Sequence, residues 1–96
     1  MYVSYGYAEL YLPYSHSLKE KRGKIHGVTS RIRKRFNVSV AEVDHNDLWQ
    51  RSRLGFSAIS HDIATLELII NSIRDSLQDY SDELEMINIE YEIVTY

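Results

Sequence analysis

The sequence predicts an α+β domain with two helices on one face of a four-stranded antiparallel sheet. Three observations carry this expectation. Two stretches step by three and four residues between apolar side chains, and four others alternate with period two. These stretches follow one another as strand, helix, strand, strand, helix, strand.

Tyr2 to Pro13 forms the first strand, with Gly6, Ala8, Leu10 and Leu12 pointing one way and Tyr5, Tyr7, Glu9 and Tyr11 the other. Pro13 has no amide proton to give a ladder, so the strand stops there and Tyr14 to His16 lead into a helix. Ser17 is a ready N-cap, and Glu20 can reach back to the Ser17 amide to close a capping box. The stretch from Ser15 to Asn37 then reads as one long basic helix whose apolar stripe is Leu18, Ile25, Val28, Ile32 and Phe36.

Asn37 to Val43 is rich in β-branched residues and predicts the second strand. Val38 and Val40 favour one parity and Ala41 and Val43 the other, which leaves open whether Glu42 and Asp44 face the core; a bulge would reconcile them. A polar turn follows, and Gln50 to Ile59 resumes the alternation with Leu54, Phe56 and Ala58 against Arg51, Arg53, Gly55 and Ser57. Cap oxygens at Ser60 to Asp62 open a second helix through Ile63, Leu66, Ile70, Ile73 and Leu77, which Tyr80 to Glu83 ends. Met86 to Val94 is the last strand, with Ile87, Ile89, Tyr91 and Ile93 inward and Asn88, Glu90 and Glu92 outward.

In 96 residues the order βαββαβ is that of a ferredoxin-like sandwich, a single domain spanning 1–96. Its first and third strands are central. That arrangement sets Tyr5, Tyr7 and Tyr11 beside Arg51 and Arg53 on the helix-free face, with Glu90 and Glu92 on an edge strand.

Composition narrows the function classes. The absence of cysteine removes disulfides and thiolate chemistry. No apolar run approaches the roughly 20 residues of a membrane helix, and MYVSYGYAEL lacks the basic and apolar regions of a signal peptide, so a cytoplasmic protein is expected. The net charge of −3 hides a division: residues 1–53 hold ten of the eleven Lys and Arg against five acids, a balance of +5, whereas 54–96 hold Arg74 against nine acids, a balance of −8. Such a split suits an anionic partner on one side, and it equally suits two halves, or two copies, attracting each other.

The first helix carries Lys19, Lys21, Arg22, Lys24, Arg31, Arg33, Lys34 and Arg35 against the single acid Glu20. Cations in this density neutralise phosphates, so these eight, with Arg51 and Arg53 on the sheet, are the candidate nucleic-acid contacts. The competing reading is a solvated helix paired with the acidic half. Gly23 and Gly27 on the outer side would let a phosphate backbone or another helix come close. Tyr5, Tyr7 and Tyr11 are candidates for a homodimer face, and Trp49 is either an exposed anchor for a partner or a lid on the open end of the core. The material for catalysis or a metal is His16, His26, His45 and His61 with Glu42, Asp44, Asp47 and Asp62. Its spacing matches no ligand set or acid–base pattern, so no catalytic residue, metal or cofactor is expected.

The segments HSLKEKR (His16 to Arg22), RFNVSVAEV (Arg35 to Val43) and DLWQR (Asp47 to Arg51), with Leu54 and Gly55, resemble the YlxP-like family of small bacterial proteins, domain of unknown function 503. The resemblance implies a ferredoxin-like fold. Because members are often encoded among translation-initiation and ribosome-maturation genes, it also implies RNA or the ribosome as a partner. It supplies no active site. The expectation is a non-enzymatic accessory protein that meets RNA through its basic helix, with a homo-oligomeric module using the tyrosine face as the alternative.

Overall fold

A computed structural model describes every residue from Met1 to Tyr96. Its elements are β1 (Tyr2–Tyr11), α1 (Leu18–Arg35), β2 (Ser39–Asp44), β3 (Arg51–Ser60), α2 (Ile63–Gln78) and β4 (Glu85–Thr95). The strands form one antiparallel sheet in the order β2-β3-β1-β4, so β1 and β3 are central as the ferredoxin-like topology requires. Neither helix is long and apolar enough to cross a membrane.

The predicted stripes meet in one core. Ala8, Leu10 and Leu12 from β1 and its exit join Val38 and Val40, then Leu54, Phe56 and Ala58, beneath Ile25, Val28 and Ile32 of α1. Leu66, Ile69, Ile70, Ile73 and Leu77 of α2 complete the cluster together with Leu84. Both helix starts are capped by side chains. The Ser17 hydroxyl accepts from the Glu20 amide at 3.1 Å and the Asp62 carboxylate from the Thr65 amide at 2.6 Å. Glu20 reciprocates one residue earlier than the sequence suggests, accepting from the His16 amide rather than that of Ser17. Ile63 opens α2 outside the core and is exposed.

One bulge corrects a parity read from sequence, and a second, the bulge expected in β2, settles the parity left open there. In β4 the register slips so that Glu9 faces Asn88 while Leu10 faces Met86, which leaves Ile87 over and turns it to solvent. Met86 packs on the core in its stead, beside Ile89 and Ile93, which lie inward as expected. Tyr91 is exposed and lies against the Arg74 guanidinium of α2. In β2 the slip falls between Glu42 and Asp44. Val38, Val40 and Glu42 therefore face the helices, and the extra residue Val43 folds over Gly55, where a β-carbon would come within 2.8 Å of its methyl group. Gly6 is needed for a similar reason: a side chain there would run into the Glu90 carbonyl and Tyr91 of the neighbouring strand.

Candidate functional site

The eight cations of α1 do not share one environment. At 3.6 residues per turn, Lys21 falls inside the apolar stripe, one turn from both Leu18 and Ile25. It is 0% exposed, and its ammonium donates to the carbonyls of His45 (2.7 Å), Asn46 (3.2 Å) and Arg51 (3.2 Å). It also pairs with Glu42 at 3.1 Å, and Glu42 accepts in turn from the buried Ser52 hydroxyl at 2.6 Å. Every proton of this ammonium is used. Lys21 therefore leaves the set of candidate nucleic-acid contacts and becomes the anchor of the loop between β2 and β3.

The rest divide by flank. On the side facing α2, Arg31 pairs with Asp79 at 2.7 Å and Arg35 donates to Ser76 at 3.3 Å. On the side facing β2, Arg33 donates to the Val40 carbonyl at 2.6 Å. Lys19, Arg22, Lys24 and Lys34 enter no ion pair or hydrogen bond, in contrast to these neighbours. Gly23, between them, has nothing within 4 Å of the position a side chain would take, whereas Gly27 lies under the Tyr80 hydroxyl and is not open.

On the helix-free face, the two sheet arginines are already occupied. Glu9, on the central strand β1, is only 7% exposed. It accepts from Arg51 at 2.7 Å, from Arg53 at 2.9 Å and from His45 Nε2 at 2.7 Å. Burial alone would raise the Glu9 carboxyl, but the hydrogen bonds from Arg53, Arg51 and His45 outweigh it and bring it down to about 2. At neutral pH it is a carboxylate, so His45 Nε2 carries the proton in this contact. Arg53 also stacks on the Tyr7 ring at 4.2 Å. Arg51 and Arg53 are thus structural partners of Glu9 before they are contacts for anything else.

The tyrosines are tied down similarly. Tyr5 donates to Glu92 at 2.6 Å and Tyr7 to Glu90 at 2.8 Å, and in each case the hydrogen bond to that carboxylate raises the phenol above its ordinary value. Tyr11 is half-buried between Arg51 and Glu85 in the register. Trp49 is 55% exposed beside the exposed Leu48, so the indole does not close the core. His45 pairs with Glu9 and Asp44, and His61 with Asp62; no three His, Asp or Glu side chains converge as a metal site would require.

Sequence reasoning names these residues but not their pairings: Glu9 with His45 and the arginines, which organises the sheet face, and Lys21 with Glu42, which organises the loop. A signal for that pair is present: Lys21 interrupts an apolar stripe, and Glu42 follows Val38 and Val40 at period two.

Among known proteins, the model of a family described as "Protein of unknown function (DUF503)" matches residues 3–91. A curated relative, "Uncharacterized protein YlxP" of Bacillus subtilis (strain 168), is 43% identical over 44 residues, which is 46% of this chain and 48% of that one. The match therefore spans about half the length of the relative. Solved structures are similar as well. "De novo designed protein Foldit4" has a TM-score of 0.59 at 13% identity, covering 100% of this chain and 99% of that one. The VAO-type flavoprotein MtVAO713 from Myceliophthora thermophila C1 has a TM-score of 0.56 at 15% identity, covering 99% of this chain and 18% of that one. At such identities the likeness concerns the fold alone.

Proposed function

Because the chain belongs to the DUF503 family, whose function is unknown, we propose a role that rests on its own surface: a non-enzymatic, cytoplasmic accessory protein that contacts RNA or the ribosome through α1. One observation carries this reading. Lys19, Arg22, Lys24 and Lys34 stand without partners along a helix whose single acid, Glu20, is engaged in capping. From Lys19 to Lys34 the helix rises about 22 Å, and the four spread over its back and both flanks, a sleeve of positive charge over which phosphates can exchange their counterions. Contacts of this kind position a nucleic acid without reading its bases. The acidic residues 54–96 limit non-specific adhesion, in keeping with a pI near 5.7.

The test is binding of a structured RNA at two salt concentrations, with Lys19, Arg22, Lys24 and Lys34 all replaced by Ala. The expected outcome is weaker binding and a salt slope shallower by roughly 0.7 to 0.9 for each phosphate that is no longer neutralised. Unchanged affinity and slope would remove the reading.

A second reading, a homodimer through the helix-free face, is favoured by one feature. Ile59, Val3 and Val94 lie side by side across three strands, with Ile59 and Val94 exposed, next to the exposed Tyr5. Sedimentation that stays monomeric at high concentration would remove it.

A further inference from the structure

The loop between β2 and β3 is held far more firmly than an exposed connection needs to be. Lys21 draws the carbonyls of His45 and Asn46 inward from one side and that of Arg51 from the other. The Leu48 amide donates to the His45 carbonyl at 3.0 Å. Gln50 donates from its side chain to the Pro13 and Ser15 carbonyls, both at 3.2 Å, while its own carbonyl accepts from the Leu12 amide at 2.9 Å. His45 takes a left-handed backbone with φ 62°, a conformation that costs a side-chain-bearing residue about 1–2 kcal/mol. A buried cation and a strained turn are costly features, and what they fix in place is an indole standing in solvent. The Trp49 side chain sits between Asp47 and Arg51 on the rim of a shallow hollow that these residues line with Leu48 and Gln50.

The surroundings select the ligand. Lys21 joins the second turn of α1 to this loop, so the unpartnered cations of the helix begin beside it. Arg22 is on the same flank as Arg33, which reaches β2, because eleven residues bring a helix back to within about 20°. An aromatic side chain on a fixed loop near the free cations at the start of α1, Lys19 and Arg22, is the pairing by which proteins hold single strands: the cations track phosphates while bases stack.

Building on the reading that α1 contacts RNA, we infer that Trp49 is a stacking platform for one unpaired base of an RNA strand whose backbone runs along α1. Asp47, on the same hollow, offers an acceptor to the base edge. A duplex, whose bases are already stacked on one another, would meet the cations but leave the indole free.

Trp49 is the only tryptophan in the chain, so its intrinsic fluorescence reports this contact directly. The full chain is titrated with short single-stranded oligoadenylate and, separately, with a blunt RNA duplex. The expected results are quenching by the single strand alone, roughly tenfold weaker single-strand binding in Trp49→Ala, recovery of most of it in Trp49→Phe, and duplex binding unchanged by either substitution. Single-strand binding that is insensitive to Trp49→Ala but abolished in the α1 alanine variant overturns the stacking platform and leaves the helix reading standing. Insensitivity to both substitutions removes both. An indole unmoved by either RNA overturns the platform.

Discussion

Two ionic centres lie on opposite faces of the same sheet, and they are built with opposite balances. Under the helices, one cation, Lys21, is surrounded by oxygens: three carbonyls and the Glu42 carboxylate. On the open face, one anion, Glu9, is surrounded by nitrogens from Arg51, Arg53 and His45. In the first centre Lys21 is sealed and has nowhere else to go, while Glu42 keeps a narrow opening to solvent at 16% exposed. The second is sealed only at its carboxylate, since the Arg51 and Arg53 side chains are 42% and 34% exposed. The difference shows where charge is structural and where it is merely tethered: the Lys21 ammonium depends entirely on the oxygens around it, whereas the arginines around Glu9 keep water as an alternative partner.

The comparison is tested most severely at Lys21. Lys21→Met removes the ammonium but keeps its aliphatic bulk, leaving the half-buried Glu42 carboxylate with only the Ser52 hydroxyl and the loop carbonyls of Asn46 and Arg51 without the cation they accept from. Breaking a buried pair from one side costs about 3–5 kcal/mol, a large part of the stability of a domain this size. A urea midpoint is the measurement. Lys21→Met combined with Glu42→Leu should recover part of the loss, because two apolar groups replace a buried pair at little cost. The deficit that stays would be the contribution of Lys21 to the loop itself. A single substitution that leaves the midpoint unmoved would show that water reaches this site and that the two centres are alike.

Glu9 should matter less and show itself through pH. Glu9→Gln leaves two arginines that can turn to solvent, so a loss of about 1–3 kcal/mol is expected, below that of Lys21→Met. The Glu9 carboxyl is lowered from the ordinary 4.5 to about 2 in the folded protein. A folded-state value below the unfolded one means that the stabilisation is fully present above about pH 4.5 and is lost as the pH falls toward about 2. Denaturation midpoints between pH 5 and pH 2 should therefore fall less steeply in Glu9→Gln than in the parent chain. Parallel curves for the two would mean that the open-face cluster is no tighter than a surface ion pair.

The fold can be read closely from the sequence because its signals are local: period two in four stretches, 3.6 in two, cap residues at Ser17 and Asp62, and Pro13 at a strand end. What escapes such reading depends on register. Ile87 looks inward by alternation and faces out because a bulge between β1 and β4 discards it. Glu9 looks like a solvent-facing residue and is buried because Arg53 lies directly opposite and His45 swings in from beyond the end of β2. Charge by itself misleads most at α1, where eight cations look alike in sequence. Only packing separates Lys21, which is inside, from Lys19 and Lys34, which are free, and from Arg31 and Arg33, which are held by neighbours.

The smallest effect is expected at Arg31, and it sharpens the contrast because geometry alone would rank it first. Its bond to Asp79 is 2.7 Å, shorter than the 3.1 Å between Lys21 and Glu42. Yet the two side chains are 46% and 48% exposed, so water screens the attraction and solvates either group when the other is removed. Arg31→Ala should therefore cost about 0.2–1 kcal/mol at low salt, and less at about 1 M, where the screening length falls to about 3 Å. Urea midpoints of this variant at the two salt concentrations give the answer. A loss approaching that of Lys21→Met, and insensitive to salt, would mean that distance rather than burial governs the ion pairs of α1, and the separation of structural from tethered charge would fail on its own helix.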